Sequence, residues 1–242
     1  MKFPTTQWSM LAVATLNGDS SAHEALGHFY RSYRSPMIAF IQHRGFGAHQ
    51  AEDLTQDFMV HLMNKSMLRR ADATRGQFRS FLLGALVRFL DDARTRQARL
   101  KRGGGCSHLS IDDERFREVD LAACSDTSVF DYAWALELLE RTKQESEAHY
   151  AGCGRVQDYS VLRAYLPGEI RPPPYEESAA RLSMAPGAFK TEVHRLRARF
   201  RNQLRREIAT TVSSPHEINA EIAYLGRVLQ SAPEVNPACA PN

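Results

Sequence analysis

The chain has 242 residues, 31 Lys and Arg against 28 Asp and Glu, and a formal charge of +3; 43% of it is hydrophobic and 24% charged. This composition fits a globular protein with enough length for one or two buried cores, and it excludes low-complexity, fibrous and strongly charged classes. No apolar run approaches the ~20 residues that cross a bilayer, and the patch Met10–Ala14 is too short for a signal sequence, so a soluble, cytoplasmic protein is expected.

Residues 1–20 read as an N-terminal extension. From Ser21 onward, apolar side chains recur every three or four residues, the period of a helix with one buried face. Tyr33, Met37, Phe40 and Ile41 mark the first helix, and Arg44-Gly45-Phe46-Gly47 breaks it. A second begins near Ala48 and carries Ala51, Leu54, Phe58 and Leu62 on one stripe. The pattern lapses into a basic, polar loop from Asn64 to Gly76. A third helix follows, with Phe78, Phe81, Leu82, Ala85, Leu86, Phe89 and Leu90 on its apolar side. Nothing alternates with period two and no hairpin dipeptide occurs, so residues 21–100 are expected to form an all-helical domain without strands.

Residues 101–127 read as a linker. Gly103-Gly104-Gly105 ends any helix, and an acidic stretch follows at Asp112, Asp113 and Glu114. A second helical domain, 128–211, opens near Ser128 with Phe130, Trp134 and Leu138 in helical register. Gly152-Cys153-Gly154 interrupts it. A short helix through Val161 and Tyr165 ends at Pro167-Gly168, and Arg171-Pro172-Pro173-Pro174 forms a stiff extended spacer. Residues 212–242 make a C-terminal extension, an amphipathic helix over Glu217–Gln230 followed by a disordered tail.

The segment from Tyr175 to Arg206 has the pattern of a helix-turn-helix. Tyr175, Ala179 and Leu182 share one face of a short helix, and Ser183-Met184-Ala185-Pro186-Gly187 supplies the turn. Pro186 suits the first position of a new helix, where no N–H is needed; Ala185 stands where a capping Ser or Thr is usual. Phe189, Val193, Leu196, Phe200 and Leu204 then form a continuous apolar stripe. From Ala188 to Arg206 there are seven Lys and Arg against one acid, Glu192. Lys190, Thr191, His194, Arg195, Arg197 and Arg201 are therefore the candidate contacts to duplex DNA, since such a helix enters the major groove and its cations reach phosphates and base edges. The bland alternative is a solvated face on a long surface helix.

Two ordered blocks of the chain then resemble bacterial RNA polymerase sigma factors of the extracytoplasmic-function (ECF) type. Ala51-Glu52-Asp53-Leu54-Thr55-Gln56-Asp57-Phe58 is similar to that family's AEDLTQEVF helix, and Phe78-Arg79-Ser80-Phe81-Leu82 to its FRSWL segment. Tyr175 to Leu182, with Gly187-Ala188-Phe189-Lys190 and His194-Arg195, resembles its YEEIAEALGMSEGAVKSRLHRAR segment. The resemblance covers roughly residues 20–100 and 130–206. It implies that Glu52, Asp53, Gln56 and Asp57 dock on core RNA polymerase. Equally, these acids suit a helix N-terminus on dipole grounds alone.

The resemblance also implies that Asn64, Lys65, Arg69, Arg75, Arg79 and Arg88 hold the −10 element of promoter DNA, in a stretch with ten cations between Arg69 and Arg102 against three acids. Phe78 and Phe81 there fit a core role better than base stacking, given their helical spacing. Phe81 replaces the family's tryptophan. The linker acids either mimic nucleic acid in the polymerase channel or keep the linker solvated. The implied partners are core polymerase and promoter DNA, with a monomer on the polymerase and room for an anti-sigma factor.

Catalysis is not expected. The nine histidines fall in no H-E-x-x-H, and no G-x-S-x-G, Walker or dinucleotide motif is present. Cys106, Cys124, Cys153 and Cys239 lack metal-ligand spacing, so neither a metal, a cofactor nor a disulfide framework is expected. The competing function is an autonomous helix-turn-helix regulator that binds duplex operator DNA by itself.

Overall fold

The computed structural model describes residues 20–62, 78–101, 127–169, 171–212 and 214–231. The expected N-terminal extension, the loop at 64–76, nearly all of the linker and the tail after Ser231 lie outside the described residues. Within them the fold is all-α, as the periodicity requires. α1 (Ser20–His43), α2 (Ala48–Leu62) and α3 (Phe78–Lys101) come first. α4 (Thr127–Gly152) is followed by α5 (Val156–Leu162) and a single 3-10 turn, Arg163–Tyr165. α6 (Tyr175–Arg181), α7 (Pro186–Ala209) and α8 (Glu217–Gln230) complete the chain.

The helix ends follow from local chemistry. After α1, Gly45 adopts φ 90°, so that its N–H reaches the Gln42 carbonyl (2.8 Å) and the Phe46 N–H that of Ile41 (3.4 Å). This is the left-handed C-terminal cap that glycine permits, and Phe46 is buried beneath it. Gly154 closes α4 in the same way, with φ 69° and bonds from Gly154 to Ala151 and from Arg155 to Tyr150. Pro36 lies within α1, a feature that periodicity alone does not reveal.

Two hydrophobic clusters hold the helices. The first joins Tyr33, Met37 and Phe40 of α1, Phe58 and Leu62 of α2, and Phe78, Leu82 and Leu86 of α3 to Phe130, Trp134 and Leu138 of α4. Ile208 at the end of α7, Val212 and Leu225 of α8 belong to it as well. The second gathers Tyr150, Tyr159, Leu162, Tyr165, Ala179, Phe189, Val193, Leu196 and Phe200. The two cores therefore divide not at the linker but partway along α4. At 26 residues that helix is about 39 Å long, enough to serve one core with its first half and the other with its last turns.

Candidate functional site

The acidic face of α2 lies opposite its buried stripe. Ala51, Leu54, Thr55, Phe58, Met59 and Leu62 are buried, which turns Glu52, Asp53, Gln56 and Asp57 outward at i, i+1, i+4 and i+5. All four are exposed, and Val60, 70% exposed, extends the strip by another turn. The guanidinium of Arg34 donates to Glu52 at 3.1 Å in an exposed pair, which is worth little stability. The sequence reading missed Val60, although an apolar residue on the polar side of the helix period was a visible signal.

The basic helix α7 is positioned by α6 and a tight turn. Ser183 takes φ 53°, and Met184 donates to the Ala179 carbonyl at 2.9 Å, so the chain reverses within four residues. Ala185 (φ −64°, ψ 142°) caps α7 without a side-chain bond, Pro186 follows, and the Ala185 carbonyl accepts from Phe189 N–H at 3.0 Å. Phe189 is fully buried, with the Tyr165 and Tyr175 rings centred 5.4 and 5.9 Å away. This packing leaves Lys190, Thr191, His194, Arg195 and Arg201 on the exposed side.

Glu192, the one acid in this stretch, is held between Arg155 (3.0 Å) and Arg195 (2.7 Å). Arg197 is also exposed, but its Nε donates to the Tyr165 carbonyl at 2.9 Å and fastens α7 to the 3-10 turn. A groove of about 480 Å³ beside the same helix is lined by Arg195, Arg199 and Arg206 from α7, by His149 of α4 and by Cys153 in the turn after it.

The expected −10 residues do not form one surface here. Asn64, Lys65, Arg69 and Arg75 lie outside the described residues. Arg88 is half-buried on α3, and burial lowers its pKa from the ordinary arginine value. Arg79 requires a correction: it is 5% exposed and cannot touch DNA in this arrangement. Its Nε donates to Asp131 at 2.6 Å, and its Nη1 to Glu221. Its guanidinium lies 4.7 Å from the Trp134 ring centre and 5.4 Å from that of Tyr224. Tyr224 in turn donates its hydroxyl to Asp131, and burial first, then that bond, pushes its pKa up to about 12.

A buried guanidinium persists only while a carboxylate compensates it; stranding it without one costs about 3–5 kcal/mol. Phe78 is core, centred 5.7 Å from the Phe29 ring, and Phe81 packs partly buried beside it. Among the described residues, no three His, Cys, Asp or Glu side chains are grouped to hold a metal ion, and no helix is long and apolar enough to cross a membrane.

An all-α chain with an acidic helix face, and a basic helix set on a short helix by a tight turn, has the makings of a nucleic-acid-associated protein that also docks on a protein. The family model described as ECF sigma factor matches residues 5–161, and the chain belongs to that family. It is thus a sigma factor of transcription initiation, from a family of transcription factors rather than enzymes. No curated protein and no solved structure matches the chain. The matched span ends within α5, so α6, α7 and α8 lie beyond it.

Proposed function

We propose that the chain binds core RNA polymerase through the outward face of α2 and directs it to promoters that α7 reads at the −35 element. The carrying observation is the sidedness of α7: Phe189, Val193, Leu196 and Phe200 are buried while Lys190, Thr191, His194, Arg195 and Arg201 stay exposed on a helix fixed by its partner α6. An exposed basic face on a rigid helix suits major-groove entry, with cations on phosphates and the polar tips on base edges. Glu52, Asp53, Gln56 and Asp57 give the complementary half, an acidic face for a basic polymerase element. The stretch from Asn64 to Arg88 holds the −10 strand, with Arg79 available only once it leaves its buried pairings.

The acidic face is tested by charge reversal. Glu52→Lys with Asp57→Lys removes no buried contact, so the melting temperature stays within about 2–4 °C, the shift that a change near 1 kcal/mol produces in a chain of this size. Binding to core polymerase is expected to be lost. Unchanged core binding by the folded double variant overturns the assignment. Specific operator binding by the chain alone, with no effect on core, favours the autonomous regulator instead.

A further inference from the structure

The cluster around Arg79 joins three distant parts of the chain. Arg79 comes from the first turn of α3, Asp131 and Trp134 from α4, and Glu221 and Tyr224 from α8. We propose that α8 is an intramolecular latch, which holds the chain closed with Arg79 withheld from promoter DNA and which polymerase binding opens. The proposal rests on the sigma reading above.

Geometry requires an opening. In the closed chain α1 and α3 share a core with α4, and α4 also packs against α7. Arg79, on the first turn of α3, is sealed between Asp131 of α4 and Glu221 of α8 and is 5% exposed. The closed form cannot offer Arg79 to the −10 strand.

Beside its apolar contacts the join has a polar side. Between α1 and α4 runs a polar seam: Arg141 donates to Ser32 and, at 3.0 Å, to Glu207, beside a groove of about 660 Å³. α8 contributes only Leu225 as a buried apolar residue, with Ile218, Ile222, Tyr224 and Leu229 partly buried. Its charged anchor, Glu221, is 3% exposed and aimed at Arg79, and Asn219 accepts from Arg205 of α7 at 2.7 Å. α8 therefore touches α3, α4 and α7 together, and Glu221 reports whether α3 is in place. Withdrawing α8 leaves Arg79 and Asp131 as a neutral pair, so the latch can release without stranding a lone charge. Phe130, Trp134 and Leu138 keep the free chain closed until polymerase offers an alternative surface.

The test follows amide hydrogen exchange in the full chain, free and bound to core polymerase, for wild type, Glu221→Gln and Tyr224→Phe. Each is also assayed for run-off transcription at limiting chain. Core binding is expected to speed exchange across 217–230 and 78–83 at least tenfold. In the free chain Glu221→Gln speeds α8 exchange at least tenfold and raises transcription at least threefold; Tyr224→Phe shifts both in the same direction by less. Unchanged or greater α8 protection in the transcribing complex overturns the latch, as does faster α8 exchange in Glu221→Gln with no gain in transcript. If Glu221→Gln loosens the whole chain, Tyr224→Phe decides by the same two criteria. If wild type gives no transcript, the sigma reading has failed separately, and unaltered α8 exchange in the free Glu221→Gln chain overturns the latch.

Discussion

Truncating Phe189 to Ala removes the ring that sets α7 on α6. The side chain is fully buried and lies edge-on to both Tyr165 and Tyr175. Loss of a buried phenyl costs about 3–5 kcal/mol, and each aromatic pair adds roughly 0.5–1.5 kcal/mol to what burial alone gives. The total rivals the whole margin of a small domain, about 5–15 kcal/mol. Phe189 belongs to the second core, which meets the first through α4 and through Leu204, packed partly buried against both.

The loss should therefore be local. Amides of 175–200 are expected to exchange about a hundredfold faster or more, which is the opening cost expressed as a rate. Those of α2 and of 82–90 should keep their protection. Binding to core polymerase through α2 should persist while binding to duplex DNA is lost. Equal loss of protection in both cores, or destabilisation under about 1 kcal/mol, would refute the division of the fold into two packing units.

Three further outcomes follow from the same geometry. Lys190→Ala and Arg195→Ala should each weaken −35 duplex binding and reduce its salt slope by about one unit, measured by titration at several salt concentrations; Arg197→Ala should instead lower local stability by on the order of 1 kcal/mol, since its Nε braces the Tyr165 carbonyl. Ser183→Gly should raise the stability of the α6–α7 pair by about 0.5–1 kcal/mol in thermal melts, because a side chain at φ 53° is strained where glycine is not; a lower melting temperature contradicts this. His28 and His61 have pKa values pushed below 6.5, chiefly by burial, with Arg141 adding to the effect at His28 and Asp92 opposing it at His61. The unfolded chain then takes up protons first, so their contribution to stability is complete above pH 6.5 and is lost as the pH falls from there toward the depressed values. Imidazole NMR midpoints at or above 6.5 would contradict it.

Most of the helical plan is readable from the sequence, because period and breakers act locally. Ala48, Phe78, Pro186 and the span Glu217–Gln230 fall where the apolar spacing, glycines and prolines put them. The sharing of the first core is not readable in this way. Phe130, Trp134 and Leu138 mark a buried face of α4, but periodicity cannot say against which helix that face is buried. Arg79 looks solvated when charge is counted along the chain, and its partners lie up to 142 residues away.

A finer signal was present. Arg79 shares its stripe with Leu82, Leu83 and Leu86, Asp131 with Trp134 and Leu138, and Glu221 with Ile218 and Leu225. One cation and two acids on otherwise apolar stripes need each other, since a lone buried charge is too costly to keep. Arg197 gave no such signal, because its anchor is a backbone carbonyl.

Run-off transcription with core RNA polymerase, with and without the full chain, tests the sigma assignment most directly. A transcript of defined length is expected from a promoter-bearing template only when the chain is present, reduced by Lys190→Ala with Arg195→Ala and abolished by Glu52→Lys with Asp57→Lys. Template-independent or absent transcription, with the chain binding duplex DNA equally well on its own, would contradict it.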